Sequence, residues 1–264
     1  MHPDIAHWGF LHIRSYGLTL AIAFLVGTWL ALREARRLHL DEDKVVSVIL
    51  VALVAGVLGA RMLYVLEHVS EFRREWGSVL ALWQGGLTLY GGMIAGVFGG
   101  LLMARRLGLP IWVTADALTP SLTIGGAIGR VGCYLNGCCY GRPTRLPWGV
   151  SFPPDSFAGL DYGNAKIHPS QLYFSLAGVV LFAIIWLLRK RTVPPGTLFW
   201  MSLLLFALVR IPLDFTRAYE PETAFLTAFG VDIVESQLSS LAIALFSLLM
   251  ILRLRRESLS PSPA

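Results

Sequence analysis

The stretch Ser170–Leu188 reads SQLYFSLAGVVLFAIIWLL, contains no charged side chain, and is followed directly by Arg189, Lys190 and Arg191. A helix of about 20 apolar residues crosses a bilayer core about 30 Å thick, which is close to the length of this stretch. Basic residues just beyond an apolar segment are typical of its cytoplasmic end. The stretch therefore predicts a helix that crosses a membrane.

Six further stretches of similar length predict an all-α, polytopic membrane protein with about seven spans. Of the 264 residues, 55% are hydrophobic and only 15% are charged, and the mean hydropathy is +0.62. Soluble domains have roughly 25% charged residues, so this composition favours lipid as the surrounding solvent. The predicted spans are Tyr16–Leu32, Val45–Leu66, Leu87–Met103, Trp112–Leu135, Ser170–Leu188, Thr197–Leu213 and Ser236–Leu252.

Basic residues are distributed unevenly between the loops. Twelve Lys and Arg residues follow the first, third, fifth and seventh spans, whereas seven lie in the other loops or ahead of the first span. Because cytoplasmic loops collect basic residues, the N-terminus is predicted to be periplasmic and the C-terminus cytoplasmic. We expect one integral-membrane domain over residues 1–257, with a periplasmic loop at about 136–169 and a disordered tail at 258–264. No basic run is typical of a nucleic-acid surface.

Three arginines, Arg61, Arg130 and Arg210, fall within or at the ends of apolar spans. A charge at such a place costs about 2.5–3.5 kcal/mol or more, so each should have a partner. Asp214 follows Arg210 by four residues, and these two could pair along one helix face. Few other acids lie in the spans, so a bound anion is favoured over purely structural pairing. Phosphate suits the two-pronged guanidinium group.

Glycine, arginine and asparagine are concentrated at the end of the fourth span, where residues 125–143 read GGAIGRVGCYLNGCCYGRP. Paired glycines also precede and enter the third span, and they allow close approach of a ligand or of a neighbouring helix. His168 to Tyr173 read HPSQLY and open the fifth span, with proline at a favourable helix start. These segments carry the polar groups expected at the outer ends of the spans.

In their order and spacing, these segments resemble the bacterial prolipoprotein diacylglyceryl transferase family along nearly the whole chain. The motifs that carry the resemblance are Gly85-Gly86, Tyr90-Gly91-Gly92, Gly129-Arg130, Asn136-Gly137, Gly141-Arg142, His168–Tyr173 and Arg210. The resemblance implies transfer of the diacylglyceryl group of phosphatidylglycerol to the lipobox cysteine of a preprolipoprotein, with release of glycerol phosphate. It implies a monomer in the bacterial inner membrane whose partners are phosphatidylglycerol, the lipobox peptide and membrane lipids. No cofactor, metal or nucleic acid is implied.

The resemblance also implies roles for single residues. Arg130 and Arg210 are expected to hold the phosphate and stabilise the leaving group, and Tyr90 to line the reacting centre, so these three are the predicted catalytic residues. The attacking thiol must become a thiolate. The residues expected to bind substrate are Tyr16, Arg61, Gly91, Gly92, Asn136, Gly141, Arg142, His168, Gln171 and Asp214.

Several positions depart from the family pattern. Tyr90 stands where well-studied members have a histidine with an essential role, and a phenol with a pKa of about 10 is a poor base at neutral pH. The other departures are Cys133 for an asparagine, Cys138 for an acid, Phe206 for a tyrosine, Asp214 for a glutamate and Phe174 for an acid. The phosphate-binding arginines are unaffected, but the activation of the thiol is left without an obvious base.

Three other interpretations are compatible with the sequence. The departures from the family pattern would also fit a divergent homologue that binds lipid and lipoprotein without catalysis. Cys133, Cys138 and Cys139 could pack as small polarizable residues, act in a membrane thiol-redox protein, or bind zinc together with His168. Arginine within a span is also compatible with an anion transporter or channel, although no symmetry between two halves of the chain supports this.

Overall fold

The computed structural model describes residues 4–8, 11–72, 76–81, 85–219, 224–228 and 231–259, and the fold is predominantly helical. The elements in chain order are β1 (Asp4–Trp8), β2 (Leu11–Arg14), α1 (Ser15–Arg37), α2 (Glu42–Glu67), α3 (Val69–Phe72), a 3₁₀ turn (Trp76–Leu80), α4 (Leu89–Arg106), α5 (Ile111–Asn136), α6 (Phe157–Tyr162), α7 (Ser170–Leu188), α8 (Thr197–Asp214), β3 (Ala224–Ala228), β4 (Val231–Val234) and α9 (Glu235–Leu259).

A helix is present at each of the seven predicted span positions. Among the described residues, five helices are long and apolar enough to cross a membrane, namely α1, α2, α7, α8 and α9. The remaining two, α4 and α5, contain the glycine-rich segments, and α5 also contains Asp116 and Arg130, which lower its apolar content. Many large apolar side chains on the helices are exposed, as expected where lipid is the solvent. The structure therefore supports a polytopic membrane protein.

Local sequence signals set the ends of the helices. Asp41 caps α2, because its carboxylate accepts hydrogen bonds from the backbone N–H groups of Asp43 and Lys44 at 3.1 and 3.2 Å. Ser156 caps α6 by accepting a hydrogen bond from the N–H of Gly159 at 3.1 Å. These caps satisfy N–H groups that no carbonyl in their own helix can reach.

Two short antiparallel hairpins, which were not predicted from the sequence, precede α1 and α9. Asp4 lies opposite Arg14 in the β1–β2 hairpin, and Ala224 lies opposite Val234 in the β3–β4 hairpin. Both hairpins have an irregular register after these first pairs. They lie outside the predicted spans, and strand pairing satisfies backbone groups that helices satisfy elsewhere.

The chain forms two compact units, Ala31–Ala117 on the one hand and Met1–Leu30 with Leu118–Ala264 on the other. The expectation of a single domain over residues 1–257 stays a prediction. At the C-terminus, α9 continues to Leu259, so the first two residues of the expected tail are helical. The rest of the tail, 260–264, lies outside the described residues.

In the unit Ala31–Ala117, α2 and α4 lie against each other through small residues. A Cβ atom on Gly91 would lie 2.4 Å from the carbonyl oxygen of Gly59, and one on Gly59 would lie 2.2 Å from the Cβ of Ala95. A Cβ on Gly92 would lie 3.1 Å from the carbonyl oxygen of Gly56. The two helices approach this closely because these positions have no side chain.

In the other unit, α1, α5 and α7 also meet at small residues. A Cβ on Gly132 of α5 would lie 2.2 Å from the hydroxyl of Thr19 on α1. Where α5 meets α7, a Cβ on Gly178 of α7 would lie 2.9 Å from the Cβ of Ala127 on α5. Ser175 of α7 donates a hydrogen bond of 2.9 Å to the Ala127 carbonyl. The glycine-rich half of α5 therefore packs against α1 at Gly132 and against α7 at Ala127.

The connection between α5 and α7 is folded. Phe152, Ala158 and Ile167 are buried together and form a small apolar core. Val150 and Ile167 exchange backbone hydrogen bonds of 3.0 and 2.9 Å. These contacts give the loop a defined shape between the two helix ends that it joins.

Candidate active site

The chain makes a tight turn directly after α5 ends at Asn136. Gly137 has a φ of +70°, and Cys139 has a φ of +57°. This left-handed region is ordinary for glycine but costs a residue with a side chain about 1 kcal/mol or more. The N–H of Cys138 donates a hydrogen bond of 3.1 Å to the carbonyl of Cys133, which folds the turn back on the last turn of α5. The surrounding contacts thus hold Cys139 in an unfavourable backbone conformation.

Three thiols meet at this turn. The Sγ atoms of Cys133, Cys138 and Cys139 all lie within 4.8 Å of one another, and we call this group the thiol cluster. All three are half-buried, and none of them forms a disulfide. His168, the fourth ligand in the zinc hypothesis, does not belong to the group, and its Nδ1 lies 3.4 Å from the hydroxyl of Tyr173. The structure therefore brings the cysteines together without this histidine.

Two of the predicted substrate-binding residues border the thiol cluster. The phenol of Tyr16, on the first turn of α1, interacts electrostatically with all three thiols and with Arg130. Its ring can approach because Gly132 has no side chain: a Cβ there would lie 3.3 Å from Tyr16 Cδ2. The Asn136 amide forms a hydrogen bond with the Cys138 thiol. Tyr16, Arg130 and Asn136, which lie far apart in the sequence, thus share one site.

Positive charge acts on one thiol of the cluster. Hydrogen bonds from the Cys133 and Cys138 thiols hold the pKa of Cys139 well below its usual range, and the charges of Arg130 and Arg217 lower that pKa further. Burial acts in the opposite direction and is outweighed. Both guanidinium groups must lie close enough to this sulfur to act on it.

Arg130 has an aromatic ring as its neighbour rather than a carboxylate. Its guanidinium carbon lies 5.1 Å from the centre of the Phe174 ring, on the first turns of α7. In the part of the chain that the structure describes, Arg130 forms no ion pair. An aromatic face stabilises a cation by about 0.5–2 kcal/mol and does not neutralise it. The positive charge of Arg130 is therefore available to an anion.

Arg210 is paired within its own helix, as the four-residue spacing predicted. Its Nε lies 3.3 Å from Oδ2 of Asp214, which is fully buried. The same carboxylate accepts hydrogen bonds from the hydroxyls of Ser236 at 2.7 Å and Tyr219 at 2.9 Å. Asp214 therefore joins α8, the following segment and α9, and it orients Arg210 through Nε alone.

Hydrogen bonds tie the turn after α5 to the start of α7 and to the segment after α8. Gln171, which is fully buried, donates from Nε2 to the Cys138 carbonyl at 2.8 Å. A Cβ on Gly141 would lie 2.4 Å from the carbonyl oxygen of His168 and 2.5 Å from the hydroxyl of Ser170. The N–H of Arg142 donates to the Thr216 carbonyl at 2.9 Å. Hydrogen bonds and close contacts thus connect the turn after α5, the HPSQLY motif and the segment after α8.

The side chains of Arg142 and His168 lie at the edge of this structure. Arg142 is exposed, and its Nε donates to the Arg217 carbonyl at 3.0 Å. The ring of His168 packs edge-on against Tyr173, whose hydroxyl accepts a hydrogen bond of 2.8 Å from Trp148 Nε1. Both predicted residues therefore help to hold the folded loop against α7 and the segment after α8.

Arg61, the third arginine in an apolar span, belongs to the unit Ala31–Ala117 and is buried. Four of its five N–H groups donate to backbone carbonyls, those of Ser78, Val79, Gly85 and Gly86, at 2.6–3.0 Å. The rings of Tyr64 and Phe72 cover its guanidinium at 5.7 and 5.2 Å. Among the described residues, backbone carbonyls therefore balance this charge, and no carboxylate forms an ion pair with Arg61.

The remaining predicted residues, Tyr90, Gly91 and Gly92, lie on the first turns of α4. Tyr90 is 55% exposed. Gly91 and Gly92 lie against α2, where Gly59 and Gly56 fill the space next to them. In the structure, these two glycines allow α4 to pack closely against α2.

Arg217 was not singled out by the sequence analysis, which counted it only as a loop charge. Its Nη1 donates to the Tyr219 hydroxyl at 3.1 Å, and its guanidinium carbon lies 4.8 Å from the centre of that ring. Its Nε is buried and has no hydrogen-bond partner within the described residues. Burial raises the pKa of Tyr219, so this phenol stays protonated and donates to Asp214. The spacing of seven residues from Arg210 was the available signal.

The similarity of this chain to known proteins extends along nearly its whole length. The chain matches the family described as "Prolipoprotein diacylglyceryl transferase" over residues 3–253. It is 32% identical to a protein of Geobacter sulfurreducens, with 98% of this chain and 97% of that protein aligned. It is 33% identical to a protein of Nitratidesulfovibrio vulgaris, with 99% and 96% aligned, and 34% identical to one of Mannheimia succiniciproducens, with 97% and 94% aligned. Each of the three is named "Phosphatidylglycerol–prolipoprotein diacylglyceryl transferase".

Proposed function

Since this chain belongs to the prolipoprotein diacylglyceryl transferase family, we propose that it transfers the diacylglyceryl group of phosphatidylglycerol to the lipobox cysteine of a preprolipoprotein. Glycerol phosphate is the product that leaves. The observation that carries the proposal in this chain is Arg130, a guanidinium on an apolar helix beside the thiol cluster with no ion pair in the described residues. An unpaired cation at such a place is costly unless an anion binds there.

Phosphate fits the charges of the site. Arg130 and Arg217 act on the same sulfur, and neither forms an ion pair within the described part of the chain. Arg210 uses Nε for Asp214, and no bond to a described residue engages its terminal amino groups. The phosphodiester of phosphatidylglycerol carries one negative charge, and the glycerol phosphate that leaves carries about −1.5 to −2 at neutral pH, which two such guanidinium groups would offset. We assign Arg130 and Arg210 to the phosphate, with Arg217 as an added member.

The reaction needs this charge most when the bond to the phosphate breaks. Cleavage of the carbon–oxygen bond places a developing negative charge on the phosphate oxygen. Positioned cations that meet the charge as it develops lower the barrier more than they stabilise the bound lipid. Arg130 is suited to this task because the Phe174 ring holds it from one side without neutralising it.

The other predicted residues support this site in different ways. Tyr16 and Asn136 border the thiol cluster and would contact the reacting groups. Gly141, Arg142, His168, Gln171 and Asp214 fix the loop and helix ends that carry the site. We propose Arg61 as the residue that holds the turn before α4, and Gly91 and Gly92 as the packing contact of that helix. Tyr90 is proposed for the reacting centre on the family resemblance.

We propose that all seven long helices cross the bacterial inner membrane and that the protein acts as a monomer. The five apolar helices and the family support an integral membrane enzyme. The excess of basic residues after the first, third, fifth and seventh spans supports a periplasmic N-terminus and a cytoplasmic C-terminus. Arg73 and Arg74, which enter this distribution, lie outside the described residues.

The direct test uses purified protein in vesicles of phosphatidylglycerol with a synthetic lipobox peptide. Mass spectrometry should show a peptide that has gained one diacylglyceryl group. A matched peptide with serine in place of the acceptor cysteine should stay unmodified, as should the cysteine peptide in vesicles of phosphatidylethanolamine. Binding of both substrates without an adduct would instead identify a non-catalytic homologue. Tyr90→Phe separates the phenol from the ring, and an unchanged rate would remove the phenol from the mechanism.

A further inference from the structure

The thiol cluster has the composition of a metal site that lacks one ligand. Its three sulfur atoms lie within 4.8 Å of one another, and no fourth metal-binding side chain in the described residues joins them. Cys133 lies on the last turn of α5, and Cys138 and Cys139 lie in the turn that follows it. Cys139 is held in a left-handed conformation that places its thiol with the other two. We propose that Cys133, Cys138 and Cys139 hold one Zn²⁺ ion whose fourth position receives the lipobox thiol. This inference rests on the proposed transfer reaction.

The geometry is close to that of a zinc site. Zn²⁺ binds thiolate sulfur at about 2.3 Å in a tetrahedral arrangement, so the sulfur atoms of such a site lie about 3.8 Å apart. Sulfur atoms already within 4.8 Å reach this separation through small side-chain rotations. Structural zinc sites use four protein ligands, whereas catalytic sites use three and leave one position open. Three cysteines without His168 correspond to the open kind.

The charges near the cluster suit bound thiolates. Three thiolates and one Zn²⁺ carry one net negative charge, and a substrate thiolate adds a second. The guanidinium groups of Arg130 and Arg217 both act on Cys139 and can offset this charge. Arg130 is also assigned to the phosphate, together with Arg210, so the bound thiolate and the phosphate would lie near each other.

Zinc would also supply what the residues at the family's base position do not. The thiol must lose its proton to attack, and the phenol of Tyr90 is a poor base near neutral pH. A thiol that coordinates zinc is deprotonated without any general base. Cys133 and Cys138 are two of the three proposed ligands. A zinc ion would therefore account both for tyrosine at position 90 and for the cysteines at positions 133 and 138.

The step balances without an oxidant or a reductant. The lipobox thiol releases its proton to water as its sulfur binds Zn²⁺. The sulfur then attacks the glycerol carbon that carries the phosphate, so a carbon–sulfur bond forms and the carbon–oxygen bond breaks. The electron pair of the broken bond leaves on glycerol phosphate. The product thioether is uncharged and a weaker ligand, so it can dissociate from the ion.

The first test measures the metal itself. Protein purified from zinc-containing medium should hold about one zinc per chain by atomic emission spectrometry. Removal by a strong chelator under reducing conditions should lower the transfer rate by roughly a hundredfold or more, and added Zn²⁺ should restore it. Failure of the chain to bind zinc, or full transfer by the metal-free protein, would overturn the proposal while leaving the transferase assignment intact.

The second test asks whether the fourth position accepts a thiol. With Co²⁺ in place of zinc, the lipobox peptide should shift the visible bands and strengthen the thiolate-to-cobalt band in vesicles without phosphatidylglycerol. The serine peptide should do neither. If the cysteine peptide leaves the spectrum unchanged, the proposal that the fourth coordination position accepts the lipobox thiol is wrong. If the spectrum shifts as expected but no adduct forms in phosphatidylglycerol vesicles, the transferase assignment is wrong and the metal site is supported.

Serine variants test whether the three cysteines are needed for both zinc binding and transfer. Cys133→Ser, Cys138→Ser and Cys139→Ser should each lower zinc content and transfer together, whereas Thr123→Val on the same helix should alter neither. The Thr123 hydroxyl donates within its own helix, to the Pro120 carbonyl at 2.9 Å. A triple serine variant with full transfer would refute the proposal. Should the variants fail to fold, the cobalt spectrum of the unmodified chain still decides.

Discussion

Gln171 donates a hydrogen bond of 2.8 Å from Nε2 to the carbonyl oxygen of Cys138, and this bond links the start of α7 to the thiol cluster. Gln171 is fully buried, so its amide group orients the turn from inside the protein and not from its surface. A neighbouring motif residue, Ser170, bonds the Thr216 carbonyl at 3.0 Å. The HPSQLY motif therefore acts through the backbone of two other segments.

Replacing Gln171 with methionine should loosen the thiol cluster. The Cys138 carbonyl would lose its buried donor, at a cost of about 1–3 kcal/mol in the free energy of unfolding. We expect the cysteines to react faster with a thiol-modifying reagent and the transfer rate to fall. Gln237→Met is the matched control, because Gln237 is also buried but bonds Val234 and Ile211. If both variants change thiol reactivity equally, the positioning role of Gln171 is wrong.

Arg130→Ala should abolish transfer while the protein still inserts in the membrane. Removing one group that stabilises a developing negative charge slows a reaction by about 10²–10³-fold. Arg210→Ala should have a similar effect, with an added loss of stability because Asp214 is then left buried without its cation. Arg105→Ala, an exposed arginine at the end of α4, is the control. Near-native rates for both variants on a lipobox peptide would contradict the phosphate assignment.

Gly141→Ala should disrupt the site although the substitution is small. The new Cβ would lie 2.4 Å from the His168 carbonyl oxygen and 2.5 Å from the Ser170 hydroxyl, so the backbone would have to move. Forcing such an overlap costs about 1–3 kcal/mol. Gly126→Ala on α5 is the matched control, since nothing lies within 4 Å of its added Cβ. We expect a lower unfolding temperature and lost transfer only for Gly141→Ala.

Asp214→Ala should destabilise the protein more than Asp214→Asn. Alanine removes the acceptor for Ser236 and Tyr219 and leaves Arg210 unpaired, which costs about 3–5 kcal/mol. Asparagine loses the charge and one of the two acceptor oxygens but keeps the other, so part of the hydrogen bonding remains. Thermal unfolding in detergent should rank the variants in that order. An equal loss for both would show that charge alone, and not the hydrogen bonds, holds α8 to α9 here.

Arg61→Met should lower stability without the specific loss of lipid binding expected for Arg130→Ala. Arg61 donates to four backbone carbonyls, and their loss would release the turn before α4, at roughly 2–3 kcal/mol. The unfolding temperature should fall, whereas the affinity for phosphatidylglycerol, measured well below that temperature, should stay near native. A selective loss of lipid affinity with unchanged stability would return Arg61 to the phosphate site.

The apolar runs predicted where the long helices lie, because a helix that crosses lipid must be apolar along its whole length and must satisfy its own backbone. The spacing of Arg210 and Asp214 predicted their ion pair, since residues four apart share one helix face. The two hairpins were missed because strands of four or five residues have too few positions to give a comparable pattern.

The sequence by itself determined the apolar helices, the arginines placed within them and the family to which the chain belongs, because these depend on composition and local spacing. Only the tertiary structure decided how each arginine is balanced among the described residues: backbone carbonyls for Arg61, a carboxylate for Arg210, and an aromatic ring without an ion pair for Arg130. It also decided that three thiols meet and that His168 faces Tyr173. The reason is that the partners of a buried polar group come from distant segments, and their meeting depends on how the helices pack.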